Sequence, residues 1–334
     1  MPTVVSLLSR DRITAAHPEL PPGEWSLRFL DRVTPPEIIK ACAGADCLFS
    51  PTTAGPVGAD VLANIPSIKI VQTLGVGFDH IDLPASVRLG IPVANVPGAN
   101  ATCVAEHAIG SIIALQRRFL EIDPAVKAGN FTSCRNRMLA EGLSEIRGSR
   151  LGLVGFGNIA REVAKIAAAL GAKIFYYATR RQPPEVEHRF AATYKPLDEL
   201  LAASDVVSLH VPLSDKTRGL IGARELALMP SGGLLINTAR GEILDQEALA
   251  AALESGHLAG AAIDTIAPEP PPAGHPLLGL SAAAKTRLLL TPHTAGVTVG
   301  SYRRMLESAF ANMDRAVRGE QPLNIVNGVL VRKV

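Results

Sequence analysis

Arg240, Glu269 and His293 each stand at the end of an apolar, strand-like run. They lie within Asn237-Thr238-Ala239-Arg240-Gly241-Glu242, the run from Asp264 to Pro270, and Thr291-Pro292-His293-Thr294-Ala295-Gly296. An arginine offers a planar, permanently charged fork that suits a carboxylate and a neighbouring ketone oxygen. A histidine titrates near neutrality and exchanges a proton with that oxygen. A glutamate on the other imidazole nitrogen orients the ring and favours its protonated form. Singly, each has an ordinary explanation as a surface ion pair, a helix cap or a solvated loop carboxylate. Together they suit redox chemistry on a small 2-oxo acid held with its C2 toward a hydride donor, protonated His293 serving reduction and neutral His293 oxidation.

The hydride donor has its own signal. Leu153-Val154-Gly155-Phe156-Gly157-Asn158-Ile159-Ala160 reads as a strand, a glycine turn and a helix start. Gly155 and Gly157 let the backbone approach a pyrophosphate, the amides at Phe156, Asn158 and Ile159 lie at the helix N-terminus, and Ala160 is small enough for close packing. One strand later comes Phe175-Tyr176-Tyr177-Ala178-Thr179-Arg180-Arg181, with Ala178 where an acid usually holds a ribose 2′-hydroxyl. A guanidinium grips a 2′-phosphate that a carboxylate would repel. Thr179, Arg180 and Arg181 therefore predict NADP(H) in preference, with NAD(H) tolerated; the plainer alternative is two exposed loop arginines and an enzyme indifferent to the phosphate.

The elements needed to position these groups are legible in outline. Strands are expected at Thr3 to Leu8, Cys47 to Phe49, Lys69 to Thr73 and Pro92 to Asn95, with helices at Pro35 to Ala43 and Ala59 to Asn64. A long helix is expected from Asn100 to Leu120, with Val104, Ala108, Ile112 and Leu115 on one stripe and Ala105, Ile109 and Ile113 on a second apolar face. Ile122 to Gly148 reads as an irregular, polar excursion. Further strands follow at Arg150 to Phe156, Lys173 to Tyr177, Asp205 to Val211, Gly233 to Thr238, Ala259 to Asp264 and Arg287 to Thr291, alternating with helices at Asn158 to Leu170, Leu197 to Ala203 and Gln246 to Glu254. A last long helix is expected from Val297 to Arg318. The fold class is α/β, with two Rossmann-like domains built on doubly wound parallel sheets.

Motif order and spacing, over nearly the whole chain, resemble the D-isomer-specific 2-hydroxyacid dehydrogenase family, in particular its glyoxylate and hydroxypyruvate reductases. The resemblance implies a discontinuous substrate (catalytic) domain, 1–100 plus 296–334, around a dinucleotide-binding domain, 101–295. It implies that His210, Val211, Pro212 and Thr217 line the adenosine side, and that Thr238, Ala239 and Asp264 line the nicotinamide end. For Asp264 a capping role is the alternative. Leu74 to Asp82 resembles the family's substrate-side loop, where the amides of Val76 and Gly77 would bind the substrate carboxylate opposite Arg240; Thr53 is a weaker candidate. The family's phosphite-oxidising members carry lysine in place of Val76, its formate dehydrogenases glutamine in place of Glu269, and its phosphoglycerate dehydrogenases a basic residue near Thr73. A small unphosphorylated acid remains, glyoxylate or hydroxypyruvate first, and a homodimer is implied. The competing class is a nucleotide-sensing, corepressor-like binding protein on the same fold.

Composition is consistent with this. A chain of 334 residues, 47% hydrophobic and only 4% aromatic, favours two helix-rich α/β domains. A formal charge of +2 without a dense basic block gives no reason to expect nucleic acid. Cys42, Cys47, Cys103 and Cys134 lack metal-ligand spacing and are expected as free thiols, so no metal is expected. No membrane segment or signal sequence is evident, and a cytoplasmic location is expected.

Overall fold

Runs such as Leu151-Gly152-Leu153-Val154 and Val206-Val207-Ser208-Leu209 carry no polar alternation, which suits strands covered on both faces. The computed structural model describes residues 1–17, 19, 25–51 and 54–331. Its contacts divide it into two units, Met1–Asn100 with Val297–Val334, and Ala101–Gly296.

The first unit runs β1 (Thr3–Ser6), α1 (Arg10–Ala16), β2 (Ser26–Phe29), α2 (Pro35–Cys42), β3 (Cys47–Phe49), α3 (Ala59–Ala63), β4 (Ile70–Gln72), α4 (Leu83–Leu89) and β5 (Val93–Ala94). Its five strands are ordered β2-β1-β3-β4-β5, all parallel. Period-two alternation sends Val4, Cys47 and Phe49 into one apolar layer and Val5, Leu48 and Val71 into the other. The first layer is closed by the chain's last helix, Val299–Val317, through Met305, Leu306, Ala309, Phe310 and Met313.

The second unit opens with α5 (Ala101–Gln116), α6 (Phe119–Lys127) and α7 (Phe131–Glu141). Then follow β6 (Arg150–Val154), α8 (Asn158–Ala169), β7 (Lys173–Tyr177), α9 (Pro184–Arg189), β8 (Ala192–Tyr194), α10 (Leu197–Ala203) and β9 (Val206–Leu209). The chain continues through α11 (Ala223–Leu228), β10 (Gly233–Asn237), α12 (Gln246–Glu254), β11 (Leu258–Ile263), α13 (Ala282–Lys285) and β12 (Leu288–Leu290), which makes the last helix of the first unit α14. Seven parallel strands are ordered β12-β11-β10-β9-β6-β7-β8. The order reverses between β6 and β9, and in such sheets ligands bind at the carboxyl ends beside that reversal. One layer gathers Leu153, Tyr176 and Ile236 under α5 and α8, the other Val154, Leu209 and Leu235 under α10 to α12.

Two expectations need correction. The span 122–148 is not irregular throughout: it carries the rest of α6 and all of α7, and only 128–130 and 142–148 lack regular structure. Only Cys134 and Met138 of α7 are buried and α6 buries none, so no apolar period marks them. Polar pairing supports them instead, as in Lys127–Asp123 at 2.7 Å and the contacts of Arg118 and Arg137 with Glu121. The expected helix to Leu120 ends at Gln116, and Arg118 at φ +54° turns the chain into α6. The stripe Val104, Ala108, Ile112 and Leu115 is buried; on the second face Ala105 and Ile109 are buried and Ile113 is exposed.

Candidate active site

Polar side chains at or just past the ends of β10, β11 and β12, namely Asn237, Asp264 and Thr291, shape the loops that follow. After β10, the buried Asn237 donates from Nδ2 to the Arg240 carbonyl at 2.9 Å and accepts from the Ala239 amide at 3.0 Å, which closes the turn carrying Arg240. The Arg240 guanidinium donates to the Ala239 carbonyl at 2.8 Å. Gly241 follows, and a Cβ there would stand 2.4 Å from the Ile266 carbonyl carbon. The Arg240 turn therefore rests directly on the peptide leading toward Glu269.

Asp264 closes the next strand end. It is only 3% exposed. Its carboxylate accepts from Thr291 Oγ1 at 2.5 Å, the Thr294 amide at 2.9 Å and the Ala295 amide at 3.0 Å. Its carbonyl accepts from the His293 amide at 2.7 Å. Four bonds from one residue thus shape the loop carrying His293, which sits at φ +55°, where a non-glycine residue needs such support. His107 of α5 adds a contact from Nε2 to Thr291 Oγ1 at 3.3 Å.

Within this frame His293 Nδ1 lies 3.0 and 3.1 Å from the two Glu269 carboxylate oxygens. That occupies one imidazole nitrogen and leaves Nε2 as the nitrogen for a reacting oxygen. Glu269 is held from upstream: Gln246, the first residue of α12, donates to the Ala267 carbonyl at 2.8 Å and accepts from the Ala267 amide at 3.1 Å. The buried His275 reaches the same carbonyl from Nε2 at 3.1 Å while its Nδ1 accepts from the Leu277 amide at 3.3 Å, so the ring proton sits on Nε2.

The glycine turn has the shape a dinucleotide requires. Gly155, at φ +98°, lies so close to β9 that a Cβ would stand 2.6 Å from the His210 carbonyl oxygen. At Gly157 a Cβ would meet nothing within 4 Å, and no side chain caps α8 behind it. The first amides of α8 are thus left without a side-chain cap, as a pyrophosphate needs. Thr238 Oγ1, just past β10, is buried without a partner and is a hydroxyl available to a ligand. These residues fit a nicotinamide dinucleotide.

Other predicted residues have mainly local roles. The Phe156 ring is buried against Tyr176, centroids 4.3 Å apart. Ile159 packs on the layer under α8. His210 lies at the end of β9, its Nε2 2.9 Å from Ser208 Oγ, and burial pushes its pKa down to about 4, so the ring is neutral at physiological pH. Val211 packs on the other layer, and Thr217 Oγ1 donates to the Pro212 carbonyl at 2.6 Å and holds that turn. Ala178 follows β7 directly, then Thr179 and the exposed Arg180 and Arg181. Arg181 is paired to Glu187 through Nε and Nη2, both at 2.9 Å.

In the first unit, Val76 and Gly77 lie in the turn after β4. The Val76 carbonyl accepts from Asn95 Nδ2 at 2.7 Å and the Gly75 carbonyl from the Val96 amide at 2.9 Å, which fixes the turn from behind. Thr53 lies outside the described residues. Four contributors carry no mark in the sequence: Gln246, His275, Glu187 and the reach of His107 to Thr291. Each acts across a loop or between elements, and no local spacing marks it.

Residues 109–295 match the NAD binding domain of the D-isomer specific 2-hydroxyacid dehydrogenases. A glyoxylate reductase of Aeropyrum pernix is 37% identical over 92% of this chain and 91% of its own length. An (S)-sulfolactate dehydrogenase of Chromohalobacter salexigens is 39% identical over 78% of this chain and 81% of its own. Among solved structures, holo D-mandelate dehydrogenase of Rhodotorula graminis superposes with a TM-score of 0.85 at 27% identity, covering 99% of both chains.

Proposed function

The chain belongs to the D-isomer specific 2-hydroxyacid dehydrogenase family and is an oxidoreductase using a nicotinamide cofactor, and we propose that it reduces glyoxylate or hydroxypyruvate to the D-2-hydroxy acid with NADPH. The observation that carries this reading is the His293–Glu269 pair at 3.0 Å, on a loop fixed by Asp264. When bound, the nicotinamide supplies a hydride. Arg240 holds the substrate carboxylate and polarises the C2 oxygen. His293 Nε2 delivers the proton to that oxygen while Glu269 keeps the ring oriented. Ala178 and the arginines after it favour the 2′-phosphate.

Support for the substrate comes from glyoxylate reductases of Aeropyrum pernix and Thermofilum pendens, each 37% identical, and a glycerate dehydrogenase of Methylorubrum extorquens, 32% identical. A homodimer is part of the same reading, supported by apolar side chains exposed on α6 and α7, Phe119, Phe131 and Leu139. The test is the initial rate of nucleotide oxidation with glyoxylate, hydroxypyruvate and sulfopyruvate, NADPH against NADH. Faster turnover with NADPH on either of the first two acids is expected. A preference for sulfopyruvate would overturn the substrate, and a preference for NADH the cofactor.

A further inference from the structure

Two adjacent arginines follow β7, yet their surroundings differ. Arg181 is 65% exposed along its side chain but gives Nε and Nη2 to the two Glu187 oxygens, each at 2.9 Å. Glu187, on α9, is only 14% exposed and is held from beneath by the hydroxyl of Tyr176, which donates to Oε1 at 2.6 Å. Tyr176 is fully buried in β7, stacked on Phe156 of the glycine turn and edge-on to Tyr194 at 5.5 Å. Its hydroxyl also accepts from the Gln182 amide at 2.9 Å, so the backbone just after Arg181 is fastened to the same anchor. The Arg181 guanidinium lies 5.9 Å over the Tyr194 ring. Arg181 is thus one end of a braced, two-pronged ion pair whose net charge is zero.

Arg180 is different. It is exposed, only its backbone carbonyl takes a hydrogen bond, from Gln182 Nε2 at 3.4 Å, and among the described residues no carboxylate pairs with its guanidinium. An approaching 2′-phosphate, dianionic near neutral pH, meets an uncompensated cation at Arg180 and a neutralised one at Arg181.

We propose that Arg180 alone discriminates the 2′-phosphate, and that Glu187 limits this selectivity by holding Arg181 in a charge-neutral pair. The proposal rests on the NADPH reading above and refines it: the arginine pair works as one binding cation and one structural cation. Arg181 and Tyr176 hold the Glu187 carboxyl down to about 2, so ordinary changes of pH do not release Arg181; only removal of the carboxylate does.

The test is direct binding of NADPH and NADH to the full-length protein by calorimetry, for wild type and three variants, each checked for an unchanged melting temperature. For Arg180→Ala the NADPH affinity should fall about tenfold or more with little change for NADH, as expected for a lost charge-assisted contact. For Arg181→Ala the ratio of the two affinities should stay within about twofold, since a neutralised exposed pair contributes little. Glu187→Gln keeps a side chain able to accept from Arg181 but removes the charge, and should raise the NADPH preference by roughly threefold or more. If Arg181→Ala lowers the preference as much as Arg180→Ala, or Glu187→Gln leaves it unchanged, the division of labour is wrong while the NADPH reading stands. If wild type itself binds NADH as well as NADPH, the cofactor reading falls and this inference with it.

Discussion

Replacing Gly241 with alanine tests whether the turn carrying Arg240 and the loop carrying Glu269 share one support. A Cβ at this position would stand 2.4 Å from the Ile266 carbonyl carbon, 2.5 Å from the Ala267 nitrogen and 2.6 Å from the Ile266 oxygen. All three are backbone atoms, so no side chain can swing away. Ordinary contact begins at 3.4 Å, and turn and peptide must part by about 1 Å. Gln246 and His275 resist that movement through their bonds to Ala267. Overpacking of this kind costs about 1–3 kcal/mol of stability. A displacement near 1 Å between groups that must meet one substrate costs on the order of 100-fold in turnover, about 2.7 kcal/mol. Steady-state kinetics with hydroxypyruvate, nucleotide titration and urea denaturation of the same preparation separate the effects. The expected pattern is a large fall in kcat, a modest loss of stability and a far smaller change in nucleotide affinity. A variant with wild-type kcat and stability would refute the shared support, and a parallel collapse of nucleotide affinity would show that the fold, and not the registry of the two loops, was lost. Gly157→Ala is the counterpart: it meets nothing in the protein, so stability should hold while nucleotide affinity falls.

Other predictions concern the same framework. Gln246→Leu removes both bonds to Ala267 and should lower kcat by roughly tenfold with nucleotide affinity retained, because the loss acts through the placement of Glu269; an unchanged kcat would make Gln246 merely a helix residue. His210, with a folded pKa of about 4 against 6.5 ordinarily, favours its neutral form in the fold, so this contribution is full above pH 6.5 and is lost as pH falls toward 4. Urea denaturation should show a stability loss of up to about 3 kcal/mol over that window, and His210→Gln should flatten it; an equal slope in the variant would assign the effect elsewhere. Sedimentation should give twice the monomer mass, and charged residues at Phe131 and Leu139 should halve it; a monomeric wild type would remove the dimer.

Much of the architecture is legible in the sequence because the strands of a doubly wound sheet are apolar on both faces. The boundaries of β7, α10 and α12 fall where the sequence suggests, and the ends of β6, β10, β11 and β12 lie within two residues of expectation. The short edge strands β2 and β8 carry no such signal, since Ser26-Leu27-Arg28-Phe29 and Ala192-Thr193-Tyr194 are brief and half exposed. Helices α6 and α7 are hidden for a different reason: their stabilising contacts are ionic and local, and the apolar period that signals a helix is missing. At the site, residue type and motif pointed to Glu269 and His293. The scaffolding did not show itself, because Asp264 reaches Thr291 and Gln246 reaches Ala267 across separations of 27 and 21 residues. Arg181 illustrates a further limit. Its partner Glu187 lies only six residues on, but a sequence cannot say whether an arginine's charge is offered to a ligand or already matched.

The most direct test of the central claim is a single-turnover measurement with the nucleotide already bound. Wild-type protein and His293→Asn are each saturated with reduced nucleotide, mixed with hydroxypyruvate, and followed by the loss of nucleotide absorbance. The predicted result is a rate lowered on the order of 100- to 10,000-fold in the variant, the range for loss of a general acid, with nucleotide affinity unchanged. A variant that transfers hydride at the wild-type rate would contradict the assignment of His293, and with it the reading of the Glu269 pair as the centre of the chemistry.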